Sequence, residues 1–241
     1  MRRYVYLLSL LICTILLSLK SLPRETSAQN LVGAKASAAA TLEPEIVTEL
    51  NLARTRPAEY ATYLEQLRPL FSGKEYTPPG RTTLLTQEGV PALEEAISFL
   101  RAAKPVRTLS LSQGMCSGAR ELVKDQSVTG STGHKGLDGS FCEQRTQRFG
   151  SWKDPIGENL TYGNDTARER VMLLLIDDGF PSRGHRRRIF DPSFNVVGVA
   201  CGEHKLGAMC VITLAGGFTD GTKAAQPTRK TTTISAGAKR F

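Results

Sequence analysis

Late in the chain two apolar runs, Phe194 to Ala200 and Cys210 to Ala215, stand on either side of Gly202-Glu203-His204-Lys205-Leu206-Gly207. Short apolar runs bounded by turn residues read as strands, and a short glycine-bearing connection closes them into a hairpin. Upstream the pattern differs. Ile46, Leu50 and Ala53, then Tyr60, Tyr63, Leu64 and Leu67, recur at helical spacing. Pro57 separates two helical pieces, and Thr41 to Glu45, with Pro44 and two acids, reads as a helix start. Arg68 to Gly89, punctuated by proline and glycine, reads as an irregular excursion. Helices are predicted over Pro91–Ala103, from Ser112 to about Ser127, and over Ala167–Asp178. Thr129–Gly139 and Gly150–Gly163 read as loops. Helices first and strands late argue for one α+β domain rather than alternating βαβ units.

The N-terminus has the order of an export signal. Met1-Arg2-Arg3 is positive, Tyr4 to Leu19 is apolar, and Thr26-Ser27-Ala28 offers small residues for cleavage. The apolar part is shorter than the roughly 20 residues of a spanning helix. The expectation is a leader over 1–28, a linker over 29–43, a domain over 44–218 and a basic disordered tail over 219–241, in a secreted or extracytoplasmic protein. Cleavage leaves Cys116, Cys142, Cys201 and Cys210, an even count that suggests two disulfides. Cys201 and Cys210 bracket the hairpin tip and are expected to pair. Cys116 with Cys142 follows by elimination, four buried free thiols being the alternative. The formal charge is +8, of which the leader carries +3 and the tail from Thr219 +4, leaving about +1 for the body. That balance argues against a nucleic-acid surface.

Four groups carry candidate chemistry. His185 sits in Ser182-Arg183-Gly184-His185-Arg186-Arg187-Arg188, read as a rim with the imidazole inward and the arginines mostly outward. His134 and Glu158 lie in glycine-rich stretches, and Asp177-Asp178 precedes His185. Two imidazoles with two carboxylates can hold a divalent ion, do acid–base work without one, or tie loops together as a polar network. No GxSxG, HExxH or Walker pattern is present. Asn159 and Asn164 begin glycosylation patterns, and His204 reads as a surface residue at the hairpin tip.

Gly133-His134-Lys135-Gly136-Leu137-Asp138-Gly139-Ser140, Ile156-Gly157-Glu158-Asn159-Leu160-Thr161-Tyr162-Gly163, Arg183-Gly184-His185-Arg186 and Val197-Gly198-Val199-Ala200-Cys201 follow one another in the order of a known family. The chain resembles the CAP superfamily of cysteine-rich secretory, antigen 5 and pathogenesis-related proteins (SCP domain), in its bacterial-type short-loop form, over about Pro44 to Phe218. The resemblance implies a three-layer α-β-α sandwich with a cleft where His134, His185, Glu158 and a second acid converge. The tryptophan that usually precedes that acid is absent, with Leu174 or Leu175 in its place. Asp177 and Asp178 are therefore both open, with Asp178 favoured. Arg186-Arg187-Arg188 replaces the usual aromatic-Thr-Gln.

Three functions follow as expectations. One is a secreted binding module whose cleft holds Zn or another divalent ion, through metal ligands His134 and His185, and presents Glu158 and Asp178 to a lipid, a cell-wall component or a protein. The second is a metal-dependent hydrolase with Glu158 as base. The third is a tetrad with a structural role alone.

Overall fold

A computed structural model describes residues 26–221, with side chains described from Thr41 onward. The chain divides into two units, Met1–Ser37 and Ala38–Phe241. Of the first, only helical backbone from Thr26 is described, so the expected leader lies almost wholly outside the described residues. So do residues 222–241 of the expected tail.

In the second unit a four-stranded sheet has the order β4-β6-β7-β5. β6 (Val196–His204) and β7 (Gly207–Asp220) form the expected hairpin. Cys201 and Cys210 are direct register partners and are disulfide-bonded. β5 (Gly150–Gly163) pairs antiparallel with β7, and β4 (Ser110–Leu111) runs parallel to β6. Alternate side chains point to opposite faces. Val197, Val199, Cys201, Cys210, Ile212 and Leu214 enter one core, while Ala200, Met209 and Val211 enter another.

The larger core is closed by Ile46, Leu50 and Ala53 of α1 (Thr26–Thr55), by α2 (Pro57–Glu65) and α3 (Val90–Ala102), and by α6 (Ala167–Ile176) with α7 (Gly184–Phe190). Across the sheet, α4 (Gln113–Thr129) covers the smaller core with Ala119, Leu122 and Val123. α5 (Cys142–Gln147) packs beside it against β5. The result is a mixed α+β arrangement in three layers, helices on both faces of one sheet. Arg68 to Gly89 holds three two-residue strands, β1 (Phe71–Ser72), β2 (Glu75–Tyr76) and β3 (Leu84–Leu85).

Local chemistry explains the boundaries. Ser112 caps α4 by accepting the Met115 N–H at 3.2 Å, and Gly130 ends it in the left-handed region. Thr166 and Glu169 form a capping box on α6. Arg54 is fully buried and donates to the carbonyls of Arg107, Ile189, Asp191 and Phe194, joining α1 to the chain between α7 and β6.

Several expectations are corrected. The stretch expected as a linker is helical, because α1 already runs from Thr26 and carries Pro44 inside it rather than at its start. Gly150–Gly163 is a strand, not a loop, and β7 extends to Asp220, past the expected start of the tail. Cys116 and Cys142 are buried and unpaired. Each is held by its own element: Cys116 Sγ accepts the Val199 N–H from β6 at 3.3 Å, whereas Cys142 opens α5. Among the described residues no helix is long and apolar enough to cross a membrane.

Candidate functional site

His134 lies in the loop between α4 and α5, and that loop is pinned through its backbone. Gln126 Nε2 donates to the Gly133 carbonyl at 2.5 Å, and the Gly133 N–H donates to the Tyr162 hydroxyl at 3.1 Å. Arg145 donates to the carbonyls of His134 and Ser140 at 3.0 and 2.8 Å. The ring is thereby presented to β5, with Nδ1 3.0 Å from Glu158 Oε1. Glu158 is 4% exposed, and its other oxygen accepts from Arg145 Nη2 at 2.7 Å. Thr213 Oγ1, its neighbour across the strands, donates to the same oxygen at 3.4 Å. Both oxygens of Glu158 are thus spent within the protein.

The second imidazole is built by a tight corner. Asp177 caps the end of α6 with φ 56°, and Arg183 precedes α7 with φ 50°; these are the positive-φ non-glycine residues among those described. Such backbone persists where the surroundings hold it in place. Here the holding group is the Asp177 carboxylate. Oδ2 accepts the N–H groups of His185 and Arg186 at 2.9 and 3.4 Å, and Oδ1 lies 2.6 Å from His185 Nδ1. Burial pushes the Asp177 carboxyl up, but the hydrogen bonds and charge interaction with His185 outweigh it and hold the group below its usual range. Phe180 packs edge-on against the His185 ring at 5.0 Å.

This geometry corrects the register of the second acid. Asp178, favoured from the sequence, also lines the cleft beside His185, but its carboxylate accepts the N–H groups of Gln87, Glu88 and Gly89 at 2.6, 2.8 and 3.0 Å. The chain reverses at Asp177, so two adjacent carboxylates serve different loops.

The arginines also depart from expectation. Arg183 and Arg186 are buried rather than outward. Arg186 donates to the carbonyls of Leu175 and Ile176, the unsatisfied end of α6, and Arg183 is gripped by Glu88 and Glu95. His204 is buried too: its Nε2 lies 2.9 Å from the Ser131 carbonyl oxygen and its ring rests near Tyr162.

A cleft of about 240 Å³ opens beside His185, walled by Leu160, Leu173, Leu174 and Phe180, with Thr161, Asp165, Asp177 and Asp178 as polar groups. Leu173 and Phe180 are 41% and 55% exposed, so apolar surface reaches its rim.

The four groups form two separate pairs, His134–Glu158 and His185–Asp177. Among the described residues no three His, Cys, Asp or Glu side chains are grouped so as to hold a metal ion. Glu158 is neutralised by buried Arg145, and the Arg188 guanidinium interacts with both Asp177 and Glu158. A shared divalent ion would meet cations where it needs acids, so these donors do not fit one.

The family model described as CAP, Cysteine-rich secretory protein family, matches residues 95–213. No curated protein is significantly similar. Two solved structures are similar in part. One is an extracellular protein containing an SCP domain from Bacillus anthracis, 18% identical with a TM-score of 0.39, covering 50% of this chain. The chain spans 37% of that protein's length. The other is an outer surface protein from Borrelia burgdorferi, 16% identical with a TM-score of 0.39, covering 46% of this chain and 78% of that one.

Proposed function

Because the chain belongs to the CAP family of cysteine-rich secretory proteins, we propose that it is an exported binding module whose ligand lies in the cleft beside His185. The observation that carries this reading is the division of labour between the two imidazole–carboxylate pairs. Glu158 has its charge balanced by Arg145 and both oxygens engaged by Arg145, Thr213 and His134, so it is held as an internal acceptor and not presented to water as a general base. His185 instead borders an open hollow with an aromatic and aliphatic wall. A few convergent polar groups against apolar walls are the usual make-up of a ligand pocket. Asp177 fixes the His185 ring by its Nδ1 and leaves Nε2 to the ligand. The His134–Glu158–Arg145 network is the structural half of the arrangement, tying the α4–α5 loop to β5.

A neutral apolar dye such as Nile red tests this. The native chain is expected to bind it, Phe180→Ser to weaken binding roughly tenfold through lost apolar contact, and Glu158→Gln to leave it intact. Dye binding indifferent to Phe180→Ser sinks the cleft assignment. A zinc titration run alongside guards the donor argument. A site lost in both His134→Ala and His185→Ala would return the cleft to an ion.

A further inference from the structure

We infer that the hairpin of β2 and β3 is a flap that closes over an apolar ligand in the cleft beside His185. The inference rests on the cleft reading above and adds the element that shuts the site.

The base of the hairpin is fixed. Thr86 donates through its N–H and its hydroxyl to the Lys74 carbonyl at 2.8 and 2.6 Å, and the Val90 N–H donates to the Gly73 carbonyl at 3.1 Å. Gly89 is packed so closely that a Cβ there would lie 2.2 Å from the Gly73 carbonyl oxygen. The N–H groups of residues 87–89 end on Asp178, which lines the cleft.

The tip is held by one side chain. The chain turns where the Arg81 N–H donates to the Pro78 carbonyl at 3.1 Å, and Arg81 itself is exposed. Its guanidinium donates to Asp165, also in the cleft lining, at 2.5 Å, and to Glu169. Exposed ion pairs add little and weaken with salt. A hairpin of two-residue strands has little hold of its own. The base is therefore a hinge and the Arg81 tip a latch.

The two attachments stand at opposite ends of α6, Asp165 before its first turn and Asp178 after its last. A helix of 10 residues is about 15 Å long. The chain from Arg81 to Gln87 spans at most about 20 Å, so it runs beside α6 from one attachment to the other. Between them lie Leu84 and Leu85, 55% and 77% exposed. Neighbouring strand residues point to opposite faces, so the hairpin is bare on both at this level. On α6, Leu173 shares a face with Glu169, the residue that Arg81 holds. Leu173 and Phe180 are the exposed apolar rim of the cleft. Apolar side chains without cover thus stand on the hairpin and on the rim. An apolar ligand seated in the cleft gives both a surface to bury, and closing a flap on it expels water.

The test is a Nile red titration of the full chain, with hydrogen exchange followed over residues 77–90. Leu84→Ser combined with Leu85→Ser removes no core contact, because both side chains are exposed. The double variant is expected to melt with the native chain and to bind the dye roughly fivefold more weakly. Bound dye is expected to slow exchange over residues 82–86 roughly tenfold in the native chain and not in the double variant. Arg81→Gln is expected to speed exchange over 77–86 in the free chain while 87–90 stays protected, and added salt to do the same to the native chain. Dye binding weakened by Phe180→Ser but untouched in the double leucine variant overturns the flap while the cleft reading stands. Weaker binding in that variant without slowed exchange in the native chain makes the leucines a fixed wall and overturns closure. No dye binding by the native chain overturns both readings.

Discussion

At the scale of single residues, burial decides what the two unpaired cysteines can do. Burial, helped by the charges of Glu158 and Glu143, pushes the Cys142 thiol up to about 12. Burial also raises Cys116, against the pull of the Val199 N–H. The thiolate is the reactive form, and neither residue carries it near neutrality. Iodoacetamide at pH 8 is therefore expected to leave both peptides unmodified in the native chain. Denaturant without reductant should expose both to labelling, while Cys201 and Cys210 stay protected until reduction. A Cys116–Cys142 cross-linked peptide in a non-reducing digest would contradict this. The same scale shows what the sequence could tell. Cys201 and Cys210 were legible because they face each other across two strands of one short hairpin. Cys116 and Cys142 were paired by elimination alone, and counting cannot report that each is held by a different element. His134 and Glu158 were legible as candidate groups by residue type, but their pairing was not, because it depends on how the α4–α5 loop is pinned against β5. Asp177 was not separable from Asp178, because which one faces His185 depends on a left-handed corner.

Elements meet where a side chain is missing. Gly198 of β6 lies under the first turn of α4: a Cβ there would fall 2.3 Å from the Met115 carbonyl carbon and 2.5 Å from the Cys116 nitrogen. Helix backbone cannot step aside as a flexible side chain can. Gly198→Ala is expected to cost about 3 kcal/mol, with a drop of roughly 6–12 °C in melting temperature. Gly217→Ala is the control, since the added methyl meets Lys153 side-chain atoms at 3.3 Å and they can move. Equal melting of the two variants would refute the claim that α4 is seated there. The elements themselves were unevenly legible. Helical periodicity announced α2, α3, α4 and α6, and apolar runs announced β6 and β7. β5 escaped because it is an edge strand rich in glycine and polar residues, whose Glu158 and Asn159 serve opposite faces. α7 escaped because three consecutive arginines suggest solvent, whereas Arg186 is drawn inward by the bare carbonyls ending α6.

Across the whole of the second unit, one clasp links the 68–89 excursion to the corner that carries His185. Asp178 accepts the N–H groups of residues 87–89, and in return Glu88 accepts the Gly179 N–H at 2.9 Å and two Arg183 donors at 2.6 Å. Hydrogen bonding to Arg183 brings the Glu88 pKa from 4.5 to about 2. A carboxylate whose folded value is depressed adds stability above its unfolded value and loses it as the pH falls through the folded one. The clasp is therefore at full strength above about pH 4.5 and released near pH 2. Asp177, also depressed, fails in the same direction and loosens His185 as it is protonated. Thermal melting followed from pH 6 to pH 2 should show a steepening fall below pH 4.5. Glu88→Gln is expected to melt lower than the native chain at pH 6, to converge with it toward pH 2, and to retain the slope due to Asp177. Glu95 keeps a hold on Arg183 in that variant, so the fold survives for the comparison. Parallel curves for the two proteins across the whole range would mean that the excursion is held by packing and not by this pair of reciprocal acids.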